Sequence, residues 1–245
     1  MKIRYSIAIS ACVVLISCAP KVSVAVSGAD TLTNKAVVEG WKIYWSEGAA
    51  IAVNSMKESV TIFRDYNDEK DKKKNDGYWS SRNYTMLSIA GTIVCYRCDW
   101  YGEGGAHPSS GSTFAAVDLA EGSNEMLLTD VFTAEEIYGV LIEDPVIQKT
   151  LSGETPKNLN GVFSMADGGC EMDISARMLG SFAFHHVKDG SVAIRIGIPH
   201  GCETMRGNFT QIGFYLPIPI RYKNAFAAAV KNRTLMQNLA PKMRP

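Results

Sequence analysis

Apolar positions recur along this chain at two spacings, and the changes of spacing mark its elements. Trp41 to Trp45 alternates apolar and polar residues with period two, which predicts a strand with aromatics on one side. From Ala49 to Tyr66, Ile51, Met56, Val60 and Phe63 recur at helical spacing with polar residues from Asn54 to Glu58 between them. That pattern predicts a first helix, running into a charged stretch and stopping before Gly77. Between Tyr78 and Arg97, the positions Tyr84, Met86, Leu87, Ile89, Ile93 and Val94 predict two strands turning near Ala90-Gly91. The chain is organised around the next stretch, Trp100 to Phe132: strand, glycine loop at Gly104-Gly105, strand from Phe114 to Leu119, then a turn at Glu121-Gly122-Ser123. The returning strand should pair antiparallel with the one before the loop. Thr133 followed by Glu136 is a capping box opening a helix, which Pro145 restarts and Ser152-Gly153 ends. Residues 153–178 read as loop. Leu179–His186 and Val192–Ile196 read as strands joined by Asp189-Gly190, a hairpin signal. Gly207–Leu216 predicts another strand, Tyr222–Lys231 an alanine-rich helix, and the basic tail to Pro245 a frayed end. Strands and helices are segregated along the chain. The class is therefore α+β, an antiparallel sheet packed against a few helices.

Charge and cysteine content set the context. Lysine plus arginine and aspartate plus glutamate each number 25, so nothing electrostatic points to nucleic acid. The dense run Asp65–Asp76 alternates in sign and reads as a solvated surface. Residues 1–18 have a positive start at Lys2 and Arg4, then a short apolar run from Ile7 to Ile16 ending in Ser17-Cys18. This resembles a bacterial lipobox, with Cys18 as the lipidated first residue of the mature protein. A plain secretory signal, cut for example after Ala29, is the other reading. Ala19 after Cys18 favours outer-membrane placement by the same resemblance. Residues 19–40 then form a tether and first strand, 41–232 the folded domain, and 233–245 the tail. Cys95, Cys98, Cys170 and Cys202 remain, an even number suited to an oxidising compartment. Three pairings are possible. The favoured one joins Cys170 to Cys202 across two glycine turns and Cys95 to Cys98 locally, with a zinc site as the alternative.

Few residues suggest chemistry. Trp100, Tyr101, Glu103, Gly104, Gly105 and His107 gather aromatics, an acid and a histidine in one loop, suited to contact with a sugar face or to acid–base work. The competing reading of His107 is a ring that pins the loop. His185-His186 in a strand should point to opposite faces, and His200 lies in a turn beside a disulfide. Asp118 and Asp130 stand where aspartate caps turns and helices. No nucleophile elbow, zinc-protease motif or phosphate loop is present. No catalytic residue, cofactor or metal is expected.

Tyr101-x-x-Gly104-Gly105-Ala106-His107-Pro108, then Asp118-Leu119, then Leu127-x-x-Asp130-x-Phe132 leading into a helix, form a combination. It resembles the extracytoplasmic domain family of unknown function found in the lysozyme-sensing anti-sigma factor RsiV and in the non-catalytic N-terminal region of the peptidoglycan deacetylase PdaC. The match is best over residues 48–150. The resemblance implies an α+β envelope domain without its own catalysis, which in one branch binds lysozyme. The expectation is a lipid-anchored envelope protein on the periplasmic side whose partner is a lysozyme-like protein or cell-wall glycan. A ligand-free structural component is the alternative, and an enzyme using His107 with Glu103 or Asp118 a further one. Removing Lys2 and Arg4 with the signal leaves slightly more acid than base, which provides little steering toward any basic partner.

Overall fold

The computed structural model describes residues 32–67, 79–104, 107–122, 124–205 and 207–240. Three antiparallel sheets and five short helices make up the α+β fold that the pattern predicts. The first sheet is a meander of β1 (Asn34–Val38), β2 (Trp41–Ser46), β3 (Ala49–Val53) and β4 (Ser59–Arg64). The second contains β5 (Tyr66–Asn67), β6 (Trp79–Ala90), β7 (Ile93–Glu103), β8 (Ser109–Asp118) and β9 (Asn124–Glu125). Helices α1 (Ala134–Leu141), α2 (Pro145–Leu151) and α3 (Leu159–Met165) follow. The third sheet is β10 (Phe182–Lys188), β11 (Ser191–Pro199) and β12 (Phe209–Pro217), and α4 (Lys223–Asn232) and α5 (Met236–Leu239) close the chain.

The second sheet is the middle layer. Met86, Ile89, Val94, Val117 and Leu119 on one face pack against Ala36, Ile43, Trp45, Ala50 and Phe63 of the first sheet. On the other face Leu87, Ile93, Cys95, Phe114 and Ala116 join a larger core with the helices and the third sheet. There Phe184 is packed edge-on against Phe226 at 4.9 Å between ring centroids. Each such buried aromatic contributes roughly 1.5–3 kcal/mol by leaving water.

Several local expectations hold with their stated causes. The β6–β7 hairpin turns at Gly91, whose φ of 61° suits glycine. Thr133 and Glu136 form the capping box, the Glu136 amide donating to Thr133 Oγ1 at 3.2 Å and the Thr133 amide to Glu136 Oε2 at 2.9 Å. Pro145 opens α2 and Ser152 ends it in a left-handed conformation, while the cap, Asp144, is a residue the pattern does not single out. Asp189 and Gly190 have φ of 48° and 76°, the positive pair that a two-residue hairpin turn needs.

Other expectations need correcting. Residues 49–66 are not a helix but β3, β4 and the start of β5. The turn between β3 and β4 is built by Asn54, whose side-chain oxygen accepts from the amides of Met56 at 3.0 Å and Glu58 at 2.9 Å. After it, Val60, Thr61 and Ile62 are β-branched, and their preference for a pleated surface prevails over the helical spacing. The loop-like region 153–178 contains α3, capped by Asn158, whose side chain accepts from the Gly161 amide at 2.9 Å. The tail is docked through residue 239: Leu235 and Met236 are buried, and the Thr234 hydroxyl donates to the Ile89 carbonyl at 2.8 Å. Most of the charged run, and Cys18 with the whole leader, lie outside the described residues.

Cys170 and Cys202 form the expected disulfide, with their Cα atoms 4.9 Å apart. Cys95 and Cys98 do not: both are free and buried. They are three residues apart on one strand, so their side chains leave opposite faces of the sheet and cannot meet. Cys95 enters the core shared with the third sheet, where burial pushes its thiol up to about 12. The same geometry excludes a zinc site made from the four cysteines. No helix among the described residues is long and apolar enough to cross a membrane.

Candidate functional site

β6, β7 and the start of β8 run on together beyond the packed core as a three-stranded arm. Cross-strand register decides which side chains share a face, since paired residues point the same way and neighbours along a strand point oppositely. Glu103 pairs with Trp79, Tyr101 with Ser81 and Ser110, Asp99 with Asn83 and Ser112, and Arg97 with Thr85 and Phe114. These residues form one ladder of side chains, aromatic at the tip and polar toward the body. At the tip the Trp79 and Tyr101 rings lie 5.1 Å apart between centroids, tilted by 43°. The Trp79 indole N–H donates to Glu103 Oε2, which fixes the carboxylate beside the aromatic pair.

Further in, Arg97 donates through Nε to Asp99 Oδ1 at 2.7 Å, with a second nitrogen 2.6 Å from the same oxygen. Ser112 Oγ joins this pair: it donates to Asp99 Oδ1 and accepts from Arg97 at 3.0 Å. The Arg97 guanidinium stacks over Phe209 of β12 at 5.6 Å, which ties the arm to the third sheet. Asp99 and Arg97 are both about one-third exposed at the side chain, 37% and 27%, so their outer edges remain available to a ligand while their inner atoms hold each other.

The six loop residues singled out in the sequence do not form one surface. Tyr101 and Glu103 belong to the ladder. Trp100 leaves the opposite face, lying against its register partner Gly111: a Cβ there would fall 2.7 Å from the indole. Gly111 is therefore a seat for Trp100, and the indole is as much packing as display. Gly104 has a φ of 123°, a conformation reserved for glycine, and carries the chain out of β7. His107 is exposed ahead of β8, and Gly105 lies outside the described residues. Sequence reasoning missed Trp79, Asp99, Arg97 and Ser112. Period-two counting from Tyr101 and Glu103 back through Asp99 to Arg97 would have found two of them, but Trp79 and Ser112 depend on register.

The two aspartates are structural. Asp118 Oδ1 accepts from the Ala120 amide at 2.9 Å, and Asp130 Oδ2 from the Leu127 amide at 2.8 Å. His200 has its Nδ1 buried without a hydrogen-bond partner. His185 and His186 do not point to opposite faces. The β10–β11 register slips by one residue between Phe184 and His186, and this bulge brings the rings together, Nδ1 to Nδ1, at 2.8 Å.

A groove of about 360 Å³ runs beside the outer edge of β8, lined by Thr113, Phe114, Met126, Leu127, Arg177 and Ser181 among others. The Phe114 amide on that edge already donates to Ser181 Oγ at 3.1 Å. An added peptide strand would have to displace it, so the groove is poorly suited to strand addition.

No family model matches the chain, and no curated protein matches it at a significant level.

Proposed function

We propose that this protein is a non-catalytic binding module of the cell envelope, lipid-anchored through Cys18, whose arm face takes a cell-wall glycan. The observation carrying this reading is the Trp79–Tyr101 pair beside Glu103, continued by the Asp99–Arg97–Ser112 cluster on the same face. Aromatic rings offer apolar faces to sugar C–H groups, and a line of carboxylate, guanidinium and hydroxyl groups offers exchangeable hydrogen bonds to sugar hydroxyls. The disulfide accords with an oxidising compartment. Of the carboxylates suggested as partners of His107, Glu103 accepts from the Trp79 indole and Asp118 from a turn amide.

The test is co-sedimentation with purified peptidoglycan beside a pull-down on immobilised lysozyme. Wild type should be retained by peptidoglycan, and Trp79→Ala and Tyr101→Ala should each lose retention while keeping the wild-type circular dichroism. Retention on lysozyme alone would transfer the role to a protein partner. Retention on neither support would leave a structural envelope component and end the binding reading.

A further inference from the structure

The outer face of the third sheet carries a second, chemically different cluster. Across β10, β11 and β12 there is no aspartate or glutamate, yet the strands hold His185, His186, Lys188 and Arg195. On β11, Val192, Ile194, Ile196 and Ile198 fill the core, so Ala193 and Arg195 face outward. His186, Ala193 and Tyr215 lie side by side in one register row, and Ala183, Arg195 and Gly213 in the next.

Two residues with almost no side chain, Ala193 and Gly213, therefore lie beneath this cluster and let the larger side chains close over them. Over Ala193 the rings of His186 and Tyr215 meet, Nε2 to the hydroxyl at 2.8 Å. The bulge adds His185 against His186. Arg195 leans over Gly213, where a Cβ would come within 2.7 Å of its guanidinium. Among the described residues neither Arg195 nor Lys188 has a carboxylate partner. The titratable and charged groups facing the histidines are thus Lys188 on β10, Arg195 on β11 and Tyr215 on β12. The nearest acid along the chain is Asp189, in the β10–β11 turn.

We propose that this cluster binds the phosphate group of an anionic ligand. An unpaired guanidinium supplies two parallel donors to neighbouring oxygens. The imidazoles and the Tyr215 hydroxyl supply donors from two other strands. A carboxylate would have both oxygens taken up by the Arg195 fork, whereas phosphate has further oxygens to meet the other groups. Both imidazoles are held below their ordinary pKa, by burial first and then by neighbouring positive charge: His186 and Arg195 act on His185, Arg195 and Lys188 on His186. A bound dianion reverses that second cause. It favours taking up a proton from solvent at whichever Nδ1 accepts in the pair, giving an imidazolium; with both Nδ1 atoms protonated the Nδ1-to-Nδ1 bond breaks, freeing both N–H groups for the anion.

The experiment follows the ring C–H resonances of His185 and His186 by NMR, assigned with His185→Gln and His186→Gln. Inorganic phosphate is titrated at constant ionic strength against chloride. Saturable shifts and a rise in both imidazole pKa values are expected. Arg195→Gln should weaken the effect at least about tenfold, the order set by one lost hydrogen bond to a charged group. Vesicles of phosphatidate and of phosphatidylcholine separate the possible sources. Arg195-dependent sedimentation with phosphatidate supports the proposal with a lipid phosphate as ligand. Phosphate-dependent shifts without sedimentation support it with a soluble or polymer-borne phosphate. Imidazole titrations that ignore phosphate, or that respond equally in Arg195→Gln, overturn it.

Discussion

Reducing the Cys170–Cys202 bridge, or replacing both cysteines by serine, should lower stability without changing the fold. The bridge closes a loop of sequence separation 32, for which the chain-entropy model gives roughly 3.5 kcal/mol. Other contacts hold the two segments in the folded state: the Gly201 amide donates to the Cys170 carbonyl at 3.1 Å, and the Asp173 amide to the Pro199 carbonyl at 3.0 Å. The approach is close enough that a Cβ on Gly201 would lie 2.4 Å from the Gly169 carbonyl oxygen. The loss therefore acts mainly through the freed unfolded chain, and it is a large fraction of a stability of about 5–15 kcal/mol. The assay is urea unfolding followed by tryptophan fluorescence, with and without reductant, on wild type and on the Cys170→Ser/Cys202→Ser variant. Wild type should lose midpoint on reduction, and the variant should start low and ignore reductant. An unchanged wild-type midpoint would refute the entropic argument. Four free thiols among the mature cysteines of the unreduced protein would refute the bridge itself.

The other two thiols should differ in reactivity. Cys95 is fully buried with its thiol pushed to about 12, whereas Cys98 keeps 9% of its surface exposed and its thiol is raised less, so native-state iodoacetamide followed by peptide mass mapping should label Cys98 first. Equal labelling rates would contradict the burial of Cys95. The histidine pair should make stability pH-dependent. Both folded pKa values lie below the ordinary 6.5, so between the folded and unfolded values the unfolded chain holds more protons and stability rises with pH. Their contribution is complete above the unfolded value and is lost as pH falls through the folded values. His185→Gln/His186→Gln should flatten the fall in urea midpoint between about pH 7 and pH 5, the range set by an ordinary histidine pKa. An unaltered slope in the double variant would remove these rings as its source.

Local chemistry was legible in the sequence, and register was not. Thr133 with Glu136, Pro145 at the start of α2 and Asp189-Gly190 each act within a few residues, so the residues that signal the structure are those that make it. The helix expected over 49–66 failed because four apolar residues met a helical template by spacing alone. Residues 59–63, Ser-Val-Thr-Ile-Phe, and the Asn54 turn carried the contrary and stronger local signal. The two proposed surfaces were hidden for a different reason. Trp100 and Tyr101 are adjacent in sequence and therefore on opposite faces, while Trp79 comes beside Tyr101 only because it pairs with Glu103, 24 residues away. His185 and His186 invert the same rule: period two separates them, and a single inserted residue brings them together. An inserted residue in a strand costs a ladder bond and is retained where it re-aims a side chain. Here it crowds two imidazoles beside an unpaired arginine on a sheet without acids, an arrangement that burial of apolar surface alone does not require. The two proposed surfaces thus lie on two sheets, one aromatic with more acid than base, the other basic. Losing one should leave the other intact.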